Sequence, residues 1–429
     1  MTYKTSPFCS VWHNNEPHFF IDQEPLPTKM EAEFVIVGGG FTGLSTALDL
    51  ALKGKEVIVL EGGKIGLAAS GLNGGQLNPG FKHNPTEIIN SFGSNIGKKI
   101  IEFGANAPKK TMSIIKQHKI ECQLEKGGFV QPAHNKASLR IVDNRIKDWK
   151  KYTDKVDFLD KNEVGDLLGS DCYIGGLLDR RGATLNPLGL VKGLAKAAIK
   201  AGVRIYQKSL VRRVYFSNGK WHFMLKNSSV QGMAAGIFTN AYTNNLIKPL
   251  KQTFIPVQSF QIATEKLSNE ITRDLIPNGF GVSDLNRLLV YYRRGPDNRI
   301  LMGGRGTFRK PKSKSDFVLL ERKLTNIFPI LKDAKFQCYW FGNVSITPDF
   351  MPRLNILGPR AISFLGCNGR GVALSPALGP YLSDWLIKGN DHHLPLPVSK
   401  KIKTIPFHFL HRLYVAAVSS YFKARDWVD

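Results

Sequence analysis

Phe34-Val35-Ile36-Val37-Gly38-Gly39-Gly40-Phe41-Thr42-Gly43 is an apolar run that ends in a glycine cluster and opens into a helical stretch, Leu44 to Lys53. A glycine fingerprint binds a dinucleotide pyrophosphate where a strand ends and a helix begins. Gly38 makes the tight turn, Gly40 lets the backbone approach the phosphates, and Gly43 permits close helix–strand packing. The helix N-terminus supplies free N–H groups and about half a positive charge, with Phe41 and Thr42 in its first turn. Gly54 stops the helix, Glu56 to Leu60 reads as a second strand, and Glu61 ends it. Glu61 lies roughly twenty residues past the glycines, placed to accept hydrogen bonds from a ribose.

Outward from this unit, the chain of 429 residues is long enough for two domains or for two interleaved ones. Met1 to Phe20 mix polar, aromatic and proline positions, which predicts no secretion signal, and no apolar stretch is long enough to span a bilayer. The five cysteines are scattered and never spaced C-x-x-C, so a cytoplasmic setting is expected, with neither a disulfide framework nor a metal site. The net charge of +25 is spread widely, with concentrations at Arg305 to Lys314 and Lys400 to Arg425. Neither lies in a recognisable nucleic-acid module, so a solvated basic surface is expected and nucleic acid is not an expected partner.

Gly62 to Gly80 is too glycine-dense for a regular element and reads as a functional loop. Helical periodicity runs from about Pro85 to Lys151, broken at Gly127-Gly128. A helix over Leu188 to Ala201 starts at Asn186-Pro187, and strands follow at Val203 to Tyr206, Leu210 to Phe216, Lys220 to Leu225 and Gly236 to Ala241. A β-rich texture then takes over, with strands at Thr253 to Ala263, Leu288 to Arg293 and Arg299 to Gly303. Near the end, the strand Ala361 to Gly366 enters Gly366-Cys367-Asn368-Gly369-Arg370-Gly371-Val372 and a helix over Ala373 to Ile387. Two glycine-rich strand-to-helix junctions so far apart imply that both ends of the chain build one cofactor site.

The fingerprint, Ala69-Ser70-Gly71-Leu72-Asn73-Gly74-Gly75-Gln76, Thr239 to Thr243, Pro256 to Glu265 and Gly366 to Gly379, in this order, resemble the FAD-dependent amine and D-amino-acid oxidase family. Within that glycine oxidase and sarcosine oxidase group, the likeness is greatest to the gamma-glutamylputrescine oxidoreductase-like branch. The resemblance implies an α/β fold, a Rossmann-type FAD-binding domain (1–90, 181–250 and 340–429) interleaved with a β-rich α+β substrate domain (91–180 and 251–339). It implies that Ser70, Asn73, Gly74, Gly75 and Gln76 border the flavin. It also implies that Gly369, Arg370, Gly371 and Val372 present a helix N-terminus to the pyrimidine side of the ring, with Arg370 either adding charge or facing solvent. Leu210-Val211 resembles the segment whose backbone pairs with adenine, so Val211 is either there or in a core strand.

The chemistry implied is hydride transfer from an amine-bearing carbon, giving an imine that water hydrolyses. A primary amine titrates near pH ~10, so holding half of it neutral at pH 7 costs roughly 4 kcal/mol, which an apolar aromatic pocket near positive charge supplies. Tyr291-Tyr292-Arg293 should line the substrate side, with Tyr292 the catalytic candidate or else a plain sheet residue. Three departures from the family pattern bear on the substrate and the acceptor. Val344 stands four residues after Trp340, where glycine-oxidase-like members carry a carboxylate-binding arginine. No cysteine lies in Val344 to Thr347, where sarcosine-oxidase-like members attach flavin, so FAD is expected to be non-covalent. Arg299 to Gly303 lacks the lysine that promotes reaction with oxygen.

An amine, such as a γ-glutamylated polyamine, is therefore the expected small-molecule substrate, with O2 or quinone as electron acceptor. The alternatives are a membrane-peripheral amino-acid dehydrogenase touching lipid through residues 404–429, where Leu410, Leu413, Tyr414, Ala417 and Tyr421 share a helical face, and a catalytically silent flavin-binding protein.

Overall fold

The protein is described by a computed structural model over residues 9–14, 26–286, 288–306, 309–411, 413, 415 and 416. The strand Lys29–Val37 sits at the centre of the first sheet. It pairs in parallel with Val57–Leu60 on one side and Ser229–Ile237 on the other, and Arg204–Tyr206 and Ala361–Leu365 extend the parallel set outward. Val57 to Leu60 are all buried, because helices cover one face, where Val57 and Val59 pack with Leu44 and Leu194, and Ile58 and Leu60 on the other face pack with Val211, Trp221 and Phe223. The hairpin Arg213–Ser217 and Lys220–Met224 turns through Asn218-Gly219, with Asn218 at φ 50° and Gly219 at φ 75°.

The second sheet takes its eight strands from Phe129–Ala133, Val156–Leu159, Gly175–Asp179, Ile255–Thr264, Gly281–Ser283, Val290–Arg294, Ile300–Arg305 and Phe336–Ile346. Mostly antiparallel, it packs one face on a separate core containing Phe260, Tyr292, Phe317 and Phe328. Phe336–Ile346 runs across position 340, where a domain boundary was expected, and lies wholly in this sheet.

Several elements differ from the sequence reading. The helical stretch before residue 151 is two helices, Pro85–Gln117 and Lys136–Trp149, separated by the strand Phe129–Ala133. That strand carries a proline and is buried at every position, so it shows no two-residue alternation. The expected loop 62–80 contains a helical turn, Ala69–Leu72, and a strand, Gln76–Leu77, that pairs with Ala183–Thr184. Leu210-Val211 precedes its strand, which starts at Arg213. Ser229–Ile237 ends before Asn240, which opens a short 3-10 turn.

Prolines inside two helices turn into docking points. A proline has no N–H, so the carbonyl four residues earlier loses its helical partner. Pro380 frees the carbonyl of Pro376 in the helix Gly371–Lys388, and Ser45 Oγ of the fingerprint helix Phe41–Leu52 donates to it at 2.7 Å. In the long helix, Pro108 frees the Gly104 carbonyl, which accepts the Gly80 N–H at 2.8 Å. Thr111, one turn on, donates to the Ala373 carbonyl at 2.9 Å. Both helices are thereby fastened to the glycine-rich segments that form the site.

Candidate active site

A cleft opens at the carboxyl ends of the parallel strands. It is lined by Gly38, Gly40, Phe41, Thr42, Glu61, Ser70 and Val211, together with Ser209, Leu210, Thr239, Asn240 and Ser375. The helix Phe41–Leu52 starts here with Gly40 as its cap, and its first N–H groups have no partner within the helix. Ser70 Oγ accepts the Phe41 N–H at 3.1 Å. A Cβ on Gly38, at φ 109°, would stand 2.7 Å from the Phe238 carbonyl oxygen, and one on Gly43 would overlap the Gly38 carbonyl. Gly43 therefore serves helix–strand packing, as read, and Gly40 faces Ser70 across a gap that a Cβ would narrow to 2.9 Å.

Glu61 accepts the Gly39 N–H at 2.8 Å and the Gly63 N–H at 2.7 Å. Burial pushes its carboxyl above the ordinary range, and those two amides work against the rise. An acceptor held beside backbone that only glycine permits fits the ribose and pyrophosphate of a dinucleotide.

Asn73, Gly74, Gly75 and Gln76 lie beyond this cleft, in a segment clamped from several directions. Asn73 Nδ2 donates to the Ala69 and Ser70 carbonyls at 2.9 and 3.0 Å, and its Oδ1 accepts the Gly75 N–H at 2.9 Å. The Leu72 carbonyl accepts from Gln261 Nε2 at 2.5 Å and Trp340 Nε1 at 3.0 Å. Trp12 donates to the Asn73 carbonyl at 2.9 Å, and Arg293 Nη1 to the Gly75 and Leu185 carbonyls at 3.2 and 2.8 Å. Gln76 is committed to the second sheet, its Nε2 donating to the Val282 and Tyr292 carbonyls at 3.2 and 3.0 Å. Carbonyls this thoroughly engaged hold the segment in one shape, which a ring bound edge-on requires.

At the other junction, Gly369 has φ 82° and Gly371 opens the helix, while Val372 packs into the core. Arg370 does not face solvent. It is buried, its Nη1 donates to the Pro79 carbonyl at 3.2 Å, and its guanidinium lies 5.3 Å from the centroid of the Phe129 ring. Burial first, and then the charge of Arg145, pull its pKa down to about 10.

Tyr292 is a correction. It is 1% exposed, its hydroxyl donates to Tyr173 at 2.9 Å, and its ring packs edge-on against Phe328 in the second core. The strand alternates as expected, but Tyr291 is the residue that faces Gly74, where a Cβ would come within 2.8 Å of its ring. The Tyr291 hydroxyl bonds to Ser259 Oγ at 2.8 Å, and burial pushes it up to about 12. Which of two adjacent strand residues faces a site depends on the side from which the rest of the chain packs.

Sequence reasoning missed Trp12, Asn240 and Asn368. Asn240, at φ 40°, accepts from the Ser345 hydroxyl and from the Gly366 N–H at 3.1 Å. Asn368, at φ 51°, accepts the Thr347 N–H at 2.9 Å and donates to the Gly366 carbonyl at 2.6 Å. Together they tie the end of Phe336–Ile346 to the glycine turn. Their signal was an asparagine just past a strand, where αL backbone is tolerated. Of the proposed C-terminal face, Tyr414, Ala417 and Tyr421 lie outside the described residues.

Residues 33–385 match the family described as FAD dependent oxidoreductase. The chain is 31% identical to gamma-glutamylputrescine oxidoreductase of Escherichia coli strain K12, over 99% of both chains. It is 33% identical to a probable oxidoreductase, OrdL, of Haemophilus influenzae, over 89% of this chain and 88% of the relative. Glycine oxidase of Bacillus cereus shares the fold at TM-score 0.70 and 21% identity, covering 87% of this chain and 99% of the other. L-amino acid deaminase of Proteus vulgaris does so at TM-score 0.71 and 19% identity, over 92% and 97%. With the glycine cradle and Glu61 shaped for a dinucleotide and the match running through both glycine junctions, the chain belongs to the FAD-dependent oxidoreductase family, an enzyme of amine oxidation whose cofactor is FAD.

Proposed function

We propose that the enzyme oxidatively deaminates an amine borne on an acylated chain, such as a γ-glutamylated polyamine, with FAD held non-covalently. FAD, when bound, accepts the hydride that leaves the amine carbon, and the resulting imine hydrolyses. The Glu61 carboxylate and the amides of the fingerprint would hold the dinucleotide part, and the clamped segment Ser70 to Gly75 would hold the ring edge. The observation that carries the reading is Tyr291 against Gly74, with the neutral Val344 four residues after Trp340. A site without a bidentate arginine would leave an α-carboxylate buried and unpaired, whereas a desolvated aromatic face favours the neutral amine. The whole-length likeness to gamma-glutamylputrescine oxidoreductase supports the same substrate class.

Anaerobic mixing of the holoenzyme with a panel of amines and amino acids, following loss of the yellow flavin absorbance, tests this. Reduction by terminal amines is expected. Reduction by α-amino acids alone would overturn the reading. Air reoxidation of the reduced enzyme, with and without a soluble quinone, then separates O2 from quinone as acceptor.

A second reading, an amino-acid dehydrogenase at the membrane surface, draws on Phe407, Phe409 and Leu413, which are 74%, 76% and 69% exposed and follow Lys400, Lys401 and Lys403. No helix among the described residues is long and apolar enough to cross a membrane. Flotation with anionic vesicles, lost on deleting residues 404–429, would favour it.

A further inference from the structure

The turn at residues 78–84, just after the clamped segment, gathers positive charge from three separate parts of the chain. Lys82 is half-buried, and its ammonium makes no hydrogen bond or ion pair with a described residue. Its recorded neighbour is the Phe350 ring, 5.6 Å away. Arg145, from the helix Lys136–Trp149, reaches the same turn. Its Nη2 donates to the Lys82 carbonyl at 3.1 Å, its Nε to Asn84 Oδ1 at 2.8 Å and its Nη1 to Gln131 Oε1 at 2.5 Å. Arg370 arrives from the opposite junction and donates to Pro79. Every one of these hydrogen bonds goes to a neutral oxygen.

The carboxylates that bear on the group are already engaged. Asp179 accepts from Arg181 Nε at 2.8 Å and Nη2 at 2.6 Å, and the exposed Glu87 accepts the Asn84 N–H at 2.7 Å. Burial, then the charges of Arg370 and Arg145, pull Lys82 down to about 8. One buried donor beside the group also lacks a partner among the described residues: Arg181 Nη1, whose guanidinium stacks 4.3 Å from the centroid of Trp149, the ring that abuts Gly80. Partly buried like charges without a counter-ion are costly, and an incoming anion relieves that cost.

We propose that Lys82, Arg145 and Arg370 form a carboxylate-binding subsite that reads an acidic group on the substrate at a distance from the amine. The strand Gln76–Leu77 carries the chain away from Gly74, which separates this subsite from the amine end. The inference rests on the amine-oxidising reading for its substrate, but the subsite itself is testable without turnover.

Glutarate, a dicarboxylate with no amine, is titrated calorimetrically into the FAD-loaded enzyme. It should bind the wild type, bind Lys82→Met about tenfold or more weakly, and recover in Lys82→Arg. Arg145→Gln should weaken it similarly, and retained FAD with unchanged circular dichroism shows that each variant is folded. In steady state, the kcat/KM ratio of a carboxylated amine over its carboxylate-free counterpart should fall about tenfold in Lys82→Met, through KM. Glutarate that fails to bind the wild type, or binds both proteins equally, would overturn the subsite, as would an unchanged ratio. If no amine reduces the flavin while glutarate follows the expected pattern, the functional reading fails and the subsite stands.

Discussion

The indole of Trp12 donates its N–H to the carbonyl of Asn73 at 2.9 Å, joining a segment near the N-terminus to the loop expected to border the flavin. Trp12 is fully buried, and the Arg293 guanidinium lies 5.8 Å from its ring centroid. Trp12→Phe keeps an aromatic ring but leaves the carbonyl without its donor, so a loss of about 1–2 kcal/mol is expected in chemical denaturation. FAD should also dissociate faster, measured as the return of free-flavin fluorescence on dilution.

The two tyrosines of the strand Val290–Arg294 should separate cleanly on removal of their hydroxyls. Tyr292→Phe strands the Tyr173 hydroxyl in the second core and should cost about 1–2 kcal/mol of stability, with flavin reduction nearly unchanged. Tyr291→Phe should instead slow flavin reduction or raise KM with little change in stability. Because Tyr291 is pushed up to about 12, it stays protonated to pH 10, so the wild-type rate should show no ionisation of this group below that pH. Equal kinetic effects of the two variants would count against Tyr291.

Gly43→Ala and Gly40→Ala differ in what the new methyl meets. At Gly43 it overlaps backbone, the Gly38 carbonyl, which cannot swing aside. At Gly40 it meets Ser70 Oγ at 2.9 Å, a side chain that can rotate. Soluble, folded apoprotein is therefore expected for Gly40→Ala with weakened FAD binding, and not for Gly43→Ala. Expression yield and circular dichroism read the difference.

Glu61 uses both carboxylate oxygens on backbone amides, and Glu61→Gln turns one of them into a donor facing a donor. FAD affinity should fall about tenfold or more, measured by equilibrium dialysis. In the wild type, the carboxyl is raised by burial, and the ionised form is the one that accepts. FAD retention should therefore decline as pH falls, starting above the ordinary carboxylate range, and the Gln variant should lack that step.

Ser45 supplies the donor that Pro380 removes from its own helix. Ser45→Ala leaves the buried Pro376 carbonyl unpartnered and should cost about 1–3 kcal/mol. A loss near zero in thermal unfolding would mean that the carbonyl finds another donor.

The sequence by itself determined the parts of this protein whose physics is local. A strand, three glycines, a helix and an acid within roughly thirty residues specify a dinucleotide site, because each role depends on backbone a few residues away. The Asn186 cap, the Asn218-Gly219 turn and the second glycine junction were legible for the same reason, and so was Glu61. What the tertiary structure decided involves partners far apart in the chain. Tyr291 rather than Tyr292 faces Gly74, because the face of a strand is chosen by what packs on it. The carbonyls freed by Pro108 and Pro380 find donors in Gly80 and Ser45, which no spacing rule connects. Lys82 and Arg145 look like ordinary surface charge, and Arg370 like a residue that either adds charge at the flavin or faces solvent, until folding brings all three onto one turn, where burial and mutual repulsion make them a group.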